Sequence, residues 1–392
     1  MKKRILFVDD EPNILTGLQR MLRKMRKEWD MVFVNSPERA IKELESDSYD
    51  VIVSDMKMPG MNGNQLLANV KERFPEVIRL ILSGHAEEKS IAESIDVTHQ
   101  FLSKPCEAEE IRETIDRCFW LKSKLEDHRL KALISNISRL PSLPRTYTQI
   151  TEALRSDDVS IKDIGEIIAE DISMSSKILQ LVNSAFFGVR YTVSDPIHAV
   201  NFLGIETIRT LVFSIGLFSQ FDEKTMRKYN LENLWAHSLE VGRLARKIYL
   251  DQTGQKKESG DALMAGMLHD IGKLIIISNF PDEFRETREK SLNEGKPLYL
   301  AEIDVLGTSH AEVGSYLLGL WGLQHNIIEA IYYHHRPSKS DHENFSLVTA
   351  VHTANYIVQN DVTSLLDVDY LKALGVHELL AKWQELHQNE DV

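Results

Sequence analysis

Val51-Ile52-Val53-Ser54-Asp55-Met56-Lys57-Met58-Pro59-Gly60-Met61-Asn62-Gly63 opens as a short apolar run, meets an acid, and breaks into turn residues. Val51 to Ser54 reads as a strand buried on both faces, with Asp55 at its carboxyl end. The same pattern recurs on either side. Upstream, Ile5-Leu6-Phe7-Val8 runs into Asp9-Asp10, and the spacing over Ile14 to Lys27 predicts a helix. Met31-Val32-Phe33-Val34 is the next strand and Pro37 to Glu45 the next helix. Downstream, Leu80-Ile81-Leu82 runs into Ser83, and His99-Gln100-Phe101-Leu102 stops just before Lys104-Pro105. This alternation predicts a five-stranded parallel sheet with helices on both faces. Such sheets gather functional groups at the carboxyl ends of their strands.

Those ends carry Asp9, Asp10, Asp55, Ser83 and Lys104. The set suits transfer of a phosphoryl group to a carboxylate. Mg²⁺ would neutralise charge through a few carboxylate oxygens plus water. Lys104 would hold the new phosphoryl oxygens. A hydroxyl at Ser83 would report their arrival, and Gly84 beside it leaves the pocket open. On Asp9-Asp10, the Ser54-to-Gly63 segment, Ser83 and Lys104-Pro105, nearly all of residues 1–122 resembles the receiver domain of two-component response regulators. The resemblance implies a flavodoxin-like α/β fold, a histidine kinase as phosphodonor, and Asp55 as acceptor. It implies Mg²⁺ on Asp10, Asp55 and the Lys57 carbonyl, with Asp9 assisting, and it makes Phe101 the aromatic switch.

A helix is expected from Glu107 to about Ile137, with Ile111, Ile115, Cys118 and Leu125 in loosely heptad-like spacing. Residues 107–137 read as a signalling linker, and as a face on which two chains can pair into a homodimer. From Leu140-Pro141-Ser142-Leu143-Pro144 the prolines fix an extended entry. Amphipathic helices follow over 138–360, then a helical extension over 361–392.

Histidines are the informative feature of this second part. His237 lies in Leu234-Trp235-Ala236-His237-Ser238, and His269-Asp270 in Met267-Leu268-His269-Asp270-Ile271-Gly272-Lys273. His310, His334 and His335 follow. Metal-assisted phosphoester hydrolysis needs neutral imidazoles and carboxylates around an open water position. An imidazole-rich set suits a divalent transition metal (Fe, Zn, Ni or Mn) better than magnesium. The segments resemble the HD superfamily of metal-dependent phosphohydrolases, whose ligand order of His, His-Asp and a later Asp maps to His237, His269 and Asp270. The fourth place falls on Asn355, a neutral amide that removes one negative charge. Lys273 is the implied phosphate contact.

A closer resemblance spans residues 135–360. Asp171-Ile172, Leu181-Val182-Asn183-Ser184-Ala185, Asn201-Phe202-Leu203-Gly204, His310-Ala311-Glu312-Val313-Gly314 and Leu320-Trp321-Gly322-Leu323 are similar to the HDOD domain. That implies an all-α signalling module, mostly without catalysis. HD-GYP phosphodiesterases, which open cyclic di-GMP, share His-Asp-Ile-Gly-Lys and a later His-His, then continue with Gly-Tyr-Pro. Here His334-His335 continues as Arg336-Pro337-Ser338-Lys339-Ser340-Asp341. Two outputs therefore stand: an interaction module for a downstream protein partner, and a metal-dependent phosphohydrolase acting on a cyclic dinucleotide or nucleotide. Asn355 and the missing Gly-Tyr-Pro favour the first. Structural roles compete for single residues: Trp235 and Trp321 suit the core, Asn183-Ser184 a helix-end cap, and His334-His335 a helix end where imidazolium meets the dipole.

Composition narrows the classes. The 392 residues are 43% hydrophobic and 27% charged, the profile of a globular protein of two or three domains. Net charge is -13, and the part after residue 122 is the more acidic, the wrong sign for a DNA-binding surface. Asp9-Asp10-Glu11 cuts the first apolar run too short for a signal peptide, and no stretch suits a membrane span. Cys106 and Cys118 form no metal-ligand or disulfide pattern, which suits a reducing cytoplasm.

Overall fold

The computed structural model describes residues 2–83, 97–124, 128–135, 137, 141–142, 144–154, 159–183, 193–205, 207–208, 219–256, 258–359 and 365–388. The chain divides into two compact units. One is 1–138 with the short segments 180–191 and 319–322, and the other is the remainder.

In the first unit β1 (Lys3–Val8), α1 (Pro12–Met21), β2 (Trp29–Val34), α2 (Pro37–Ser46), β3 (Val51–Asp55), α3 (Gly63–Arg73), β4 (Ile78–Ser83) and β5 (Gln100–Ser103) alternate as expected. All strand pairs are parallel, in the order β2-β1-β3-β4-β5. Leu6, Ile52 and Ile81 are fully buried against Leu66, Leu67 and Val70 of α3. The Asn62 and Gln65 side chains form a reciprocal cap at the start of α3. Gly63 is required there, because a Cβ would sit 2.2 Å from the Asp55 carbonyl oxygen. The bare glycine lets α3 start directly against the end of β3.

Two local differences from the sequence reading have physical causes. The helix expected over Ile14–Lys27 changes pitch to 3₁₀ at Leu22–Lys27, with Leu22 and Met25 keeping the buried face. His99 lies outside β5 because its ring Nδ1 accepts the Arg79 backbone N–H at 2.9 Å, where a ladder carbonyl would otherwise stand. The linker is described as two helices, α4 (Ala108–Lys124) and α5 (His128–Ser135), with 125–127 outside the described residues. Ile111, Ile115 and Cys118 are fully buried within this chain, and Leu125 lies outside the described residues. The last carbonyl of α5, on Ser135, accepts from the buried Arg79 guanidinium at 2.5 Å and lies 2.8 Å from His99 Nε2. Burial and the Arg79 charge hold the His99 ring well below the usual histidine range, so it stays neutral.

The second unit is built of helices: α6 (Pro144–Ala153), α7 (Ile161–Ala169), α8 (Ile172–Val182), α9 (Pro196–Leu203), α10 (Glu223–Tyr229) and α11 (Leu231–Thr253). Then come α12 (Ser259–Leu268), α13 (Ile271–Asn279), α14 (Pro281–Glu294), α15 (Leu298–Leu306) and α16 (His310–Leu320). α17 (His325–Tyr333), α18 (Leu347–Gln359), α19 (Val368–Ala373) and α20 (Leu380–Gln388) complete it. The Pro141-Ser142 entry makes a two-residue parallel pairing with Ser219-Gln220, a small exception to the all-helical expectation. Trp235 is buried in this unit, and Trp321, of the 319–322 segment grouped with the first unit, is buried too. Asn183 directly follows α8, while Ser184 lies outside the described residues. No helix among the described residues is long and apolar enough to cross a membrane.

The C-terminal segment packs onto this unit. Trp383 of α20 is fully buried, its indole N–H donates to Asp251 at 3.3 Å, and its ring lies 6.0 Å from that of Phe345. Lys382 bonds the same Asp251 at 2.5 Å. Trp383→Ala should therefore cost about 3–5 kcal/mol of stability, the range for emptying a large aromatic site. A urea titration checks this, and an unchanged midpoint would mean that α20 is an appendage.

Candidate functional site

Two groups of side chains carry chemistry. The first lies at the carboxyl edge of the receiver-like sheet. The Lys104 amine bridges Asp9 Oδ2 at 2.7 Å and Asp55 Oδ1 at 2.5 Å. Burial pushes the Lys104 amine down, and the two carboxylates outweigh it and keep it charged. Asp9 is buried and its Oδ1 accepts the Glu11 backbone N–H; Asp55 Oδ2 accepts that of Lys57 at 2.7 Å. Asp10 and Lys57 line a cavity of about 430 Å³ with Met56, Met58, Pro59, Asn62 and Asn64. Oxygen donors beside an open cavity fit Mg²⁺, which keeps several waters. Phe101 is buried in the sheet core. Ser83 ends β4, paired with Ser103, but its side chain lies outside the described residues, as does Gly84.

The second group lies mostly at helix ends. His237 stands on α11. His269 caps the C-terminus of α12 and Asp270 stands at the N-cap of α13, so the pair occupies a helix–helix junction. His310 opens α16, and His334 caps the end of α17, so the helix-end position holds, but the buried ring is neutral and no imidazolium meets the dipole there. Gly272 makes the junction possible, since a Cβ there would sit 1.9 Å from the His310 carbonyl oxygen.

The described donor atoms converge in two groups that share Asp270. Asp270, His310, His334 and His335 form one, and His237, His269 and Asp270 the other; within each, the ligand atoms lie within 4.8 Å of one another. Asn355 Oδ1 is 3.0 Å from His237 Nε2, which puts the amide where the carboxylate was expected. Lys273 bonds Asp270 Oδ2 at 2.6 Å. Every sequence-predicted residue of this set is thus brought together.

The fold also sets the tautomers. His269 Nδ1 donates to the Gly266 carbonyl at 2.6 Å, and His334 Nδ1 to that of Ile331 at 2.7 Å. A carbonyl only accepts, so each proton sits on Nδ1 and each Nε2 keeps its lone pair. Both Nε2 atoms, and Asp270 Oδ1, are buried without a hydrogen-bond partner among the described residues. Orphaned buried acceptors are costly in a finished core and usual around a metal ion. Burial pushes the His237 ring down to about 4. Burial and neighbouring histidines also hold His334 and His335 well below the ordinary range, so these ligands are neutral. Burial pushes Asp270 up, but the Lys273 amine 2.6 Å away outweighs it and keeps the carboxylate ionised. Five imidazoles around one carboxylate suit a divalent transition metal.

Two supporting residues were missed in the sequence. His352 donates from Nδ1 to the His334 carbonyl at 2.7 Å and accepts the Asp367 backbone N–H on Nε2 at 3.0 Å, fixing the turn that carries His334-His335. Glu302, on α15, holds the His310 ring. Neither announced itself, because a lone acid or histidine on an amphipathic helix is read as solvated or core.

Comparison with known proteins identifies the two parts of the chain. The HDOD domain model matches residues 140–337, and the response regulator receiver domain model matches 5–116. An uncharacterized protein of Treponema pallidum is 27% identical over 232 residues, covering 58% of this chain and 44% of its own length. The transcriptional regulatory protein GlrR of Escherichia coli is 28% identical over 157 residues, covering 39% of this chain and 34% of its own. The chain spans less than half the length of these curated relatives. Among solved structures, the MmoQ response regulator of Methylococcus capsulatus is 24% identical with a TM-score of 0.49, covering 63% of this chain and 98% of that one. This chain is a member of the HDOD family, and carries a response regulator receiver domain ahead of its HDOD domain.

Proposed function

We propose that Asp55 accepts a phosphoryl group from a histidine kinase, and that α4 and α5 pass its arrival to an HDOD output that holds a divalent transition metal and works as a signalling module. The Lys104 amine, held between Asp9 and Asp55, carries this reading: it is a cation placed where phosphoryl oxygens would arrive. An Asp55 carboxylate oxygen attacks phosphorus, the P–N bond to the kinase histidine breaks, and Lys104 turns from the carboxylates to the new oxygens. Asp10, Asp55 and the Lys57 carbonyl would hold Mg²⁺, which would shield the charge when bound. The signal then needs two arrangements that the phosphoryl group binds unequally. The Arg79 and His99 contacts to Ser135 supply a bond that can be kept in one and released in the other.

Lys104→Ala should leave the fold intact but blunt this response. With a small phosphodonor and Mg²⁺, amide hydrogen exchange over His128–Ser135 should speed up in the wild type and change little in the variant. Identical exchange with and without donor in the wild type would remove α5 as transmitter.

For the output, the buried unpartnered Nε2 atoms favour metal binding, and neutral Asn355 together with the missing Gly-Tyr-Pro argues against hydrolysis. One observation favours the second reading, a phosphohydrolase: Lys273 lies at the partly exposed rim of the cluster, where its amine can meet a phosphate oxygen. A phosphodiesterase assay with added metal decides between them. No cyclic di-GMP turnover is expected, and metal-dependent turnover lost in His269→Ala would make the protein an enzyme.

A further inference from the structure

Glu302 is fully buried on α15, eight residues before His310. Its Oε2 accepts two hydrogen bonds from His310, one from the backbone N–H at 2.8 Å and one from the ring Nδ1 at 2.6 Å. The backbone N–H can only donate, so Oε2 faces His310 as an acceptor and Nδ1 carries the proton. The ring then presents Nε2 to Asp270 Oδ1 at 3.1 Å and to His335 Nε2 at 3.0 Å.

This partner differs from the others in the cluster. His269 and His334 are held by neutral backbone carbonyls. His310 is held by a carboxylate, which makes the imidazole a stronger donor and brings a second negative charge beside Asp270. That charge stands behind the His310–His334–His335 group. The other group, His237 and His269, has the neutral Asn355 amide instead. The two groups share Asp270 but are unequal in charge.

We propose that Glu302 is a positioning residue which, by holding His310 through Nδ1, makes the Asp270–His310–His334–His335 side the tighter of two metal subsites. This rests on the reading that the cluster holds metal.

The test titrates the metal-free full-length chain with Co²⁺, following the visible absorption of the bound ion. The wild type should show a tight and a weak class of binding. Glu302→Gln keeps the shape and an acceptor oxygen but loses the charge. It should weaken the tight class by about 10–100-fold and leave the weak class where it was. Glu302→Asp, charged but shorter, should recover part of the loss, which a purely space-filling role would not predict. In a His237→Ala background the remaining binding should respond to Glu302→Gln, and in a His334→Ala background it should not. Equal tight binding by wild type and Glu302→Gln overturns this proposal alone. A wild type that binds no Co²⁺ overturns the metal reading and this proposal with it. Should Glu302→Gln fail to fold, histidine-selective nitrogen NMR of the wild type still decides the geometry: a His310 ring protonated on Nδ1 with a strongly downfield proton is expected, and an Nε2–H tautomer without Nδ1–H overturns it.

Discussion

Asp55→Asn is expected to take up no phosphoryl group at all. The wild type, given Mg²⁺ and a small phosphodonor, should gain one phosphoryl group per chain, stable in acid and labile in base or hydroxylamine, as an acyl phosphate is. The asparagine amide is nearly the same shape and can still accept the Lys57 backbone N–H that Asp55 accepts at 2.7 Å. It lacks the anionic oxygen that attacks phosphorus, so the loss is chemical and should come without unfolding. Lys104 keeps Asp9 as a partner in the variant. Asp10→Asn should only weaken labelling, since it removes one Mg²⁺ donor. Intact-mass measurement before and after hydroxylamine reads all three proteins. Undiminished labelling of Asp55→Asn would move the acceptor elsewhere and remove the receiver mechanism.

The sheet was legible because strands buried on both faces of a parallel sheet are continuous apolar runs. Ile5-Leu6-Phe7-Val8 and Val51-Ile52-Val53 are such runs, and both are almost fully buried. Boundaries were less legible, because a ladder is made by backbone groups and takes in polar residues that pattern leaves out. Lys3 pairs with Trp29 and Arg4 with Asp30 in this way. His99 failed for a different reason: its ring replaces a backbone partner, and nothing in Thr98-His99-Gln100 distinguishes that from a strand residue. Arg79 was invisible as a buried residue, since arginine is normally exposed. Its burial depends on carbonyls at Val97 and Ser135, the latter 56 positions away.

The histidine cluster was legible for a chemical reason. Histidines and one His-Asp pair recur along the helical part, and imidazole with carboxylate is the donor set that suits a transition metal. The tautomer-setting contacts were not legible, because Gly266 and Ile331 contribute only backbone carbonyls. Glu302 was hidden by its helix: in Leu298-Tyr299-Leu300-Ala301-Glu302-Ile303-Asp304 it looks like Asp304, a solvent-exposed acid in surface ion pairs. Only the packing of α15 against the start of α16 separates the two acids.

Asp270→Asn should empty the cluster, since Asp270 is the carboxylate common to both groups of donors. Its two oxygens face different partners, Oδ1 toward His310 at 3.1 Å and Oδ2 toward Lys273 at 2.6 Å and His269 at 3.4 Å. An amide keeps one oxygen acceptor and replaces the other with a donor, which turns a hydrogen toward lone pairs that the fold aims inward. It also strands Lys273 beside neutral groups. A metal that binds only the folded chain stabilises it by about 2.7 kcal/mol when present at about 100 times its dissociation constant. The wild type should therefore melt higher with added Zn²⁺, and Asp270→Asn should melt at one temperature with or without it. Asn355→Asp should act oppositely. The substitution restores a charged oxygen 3.0 Å from His237 Nε2, so the melting shift should begin at lower metal concentration and the ion should survive a chelator longer. Metal analysis after chelator treatment should rank the three proteins Asn355→Asp, wild type, Asp270→Asn. If Asp270→Asn holds as much metal as the wild type, the ion is elsewhere on the chain and the cluster is a network of buried histidines.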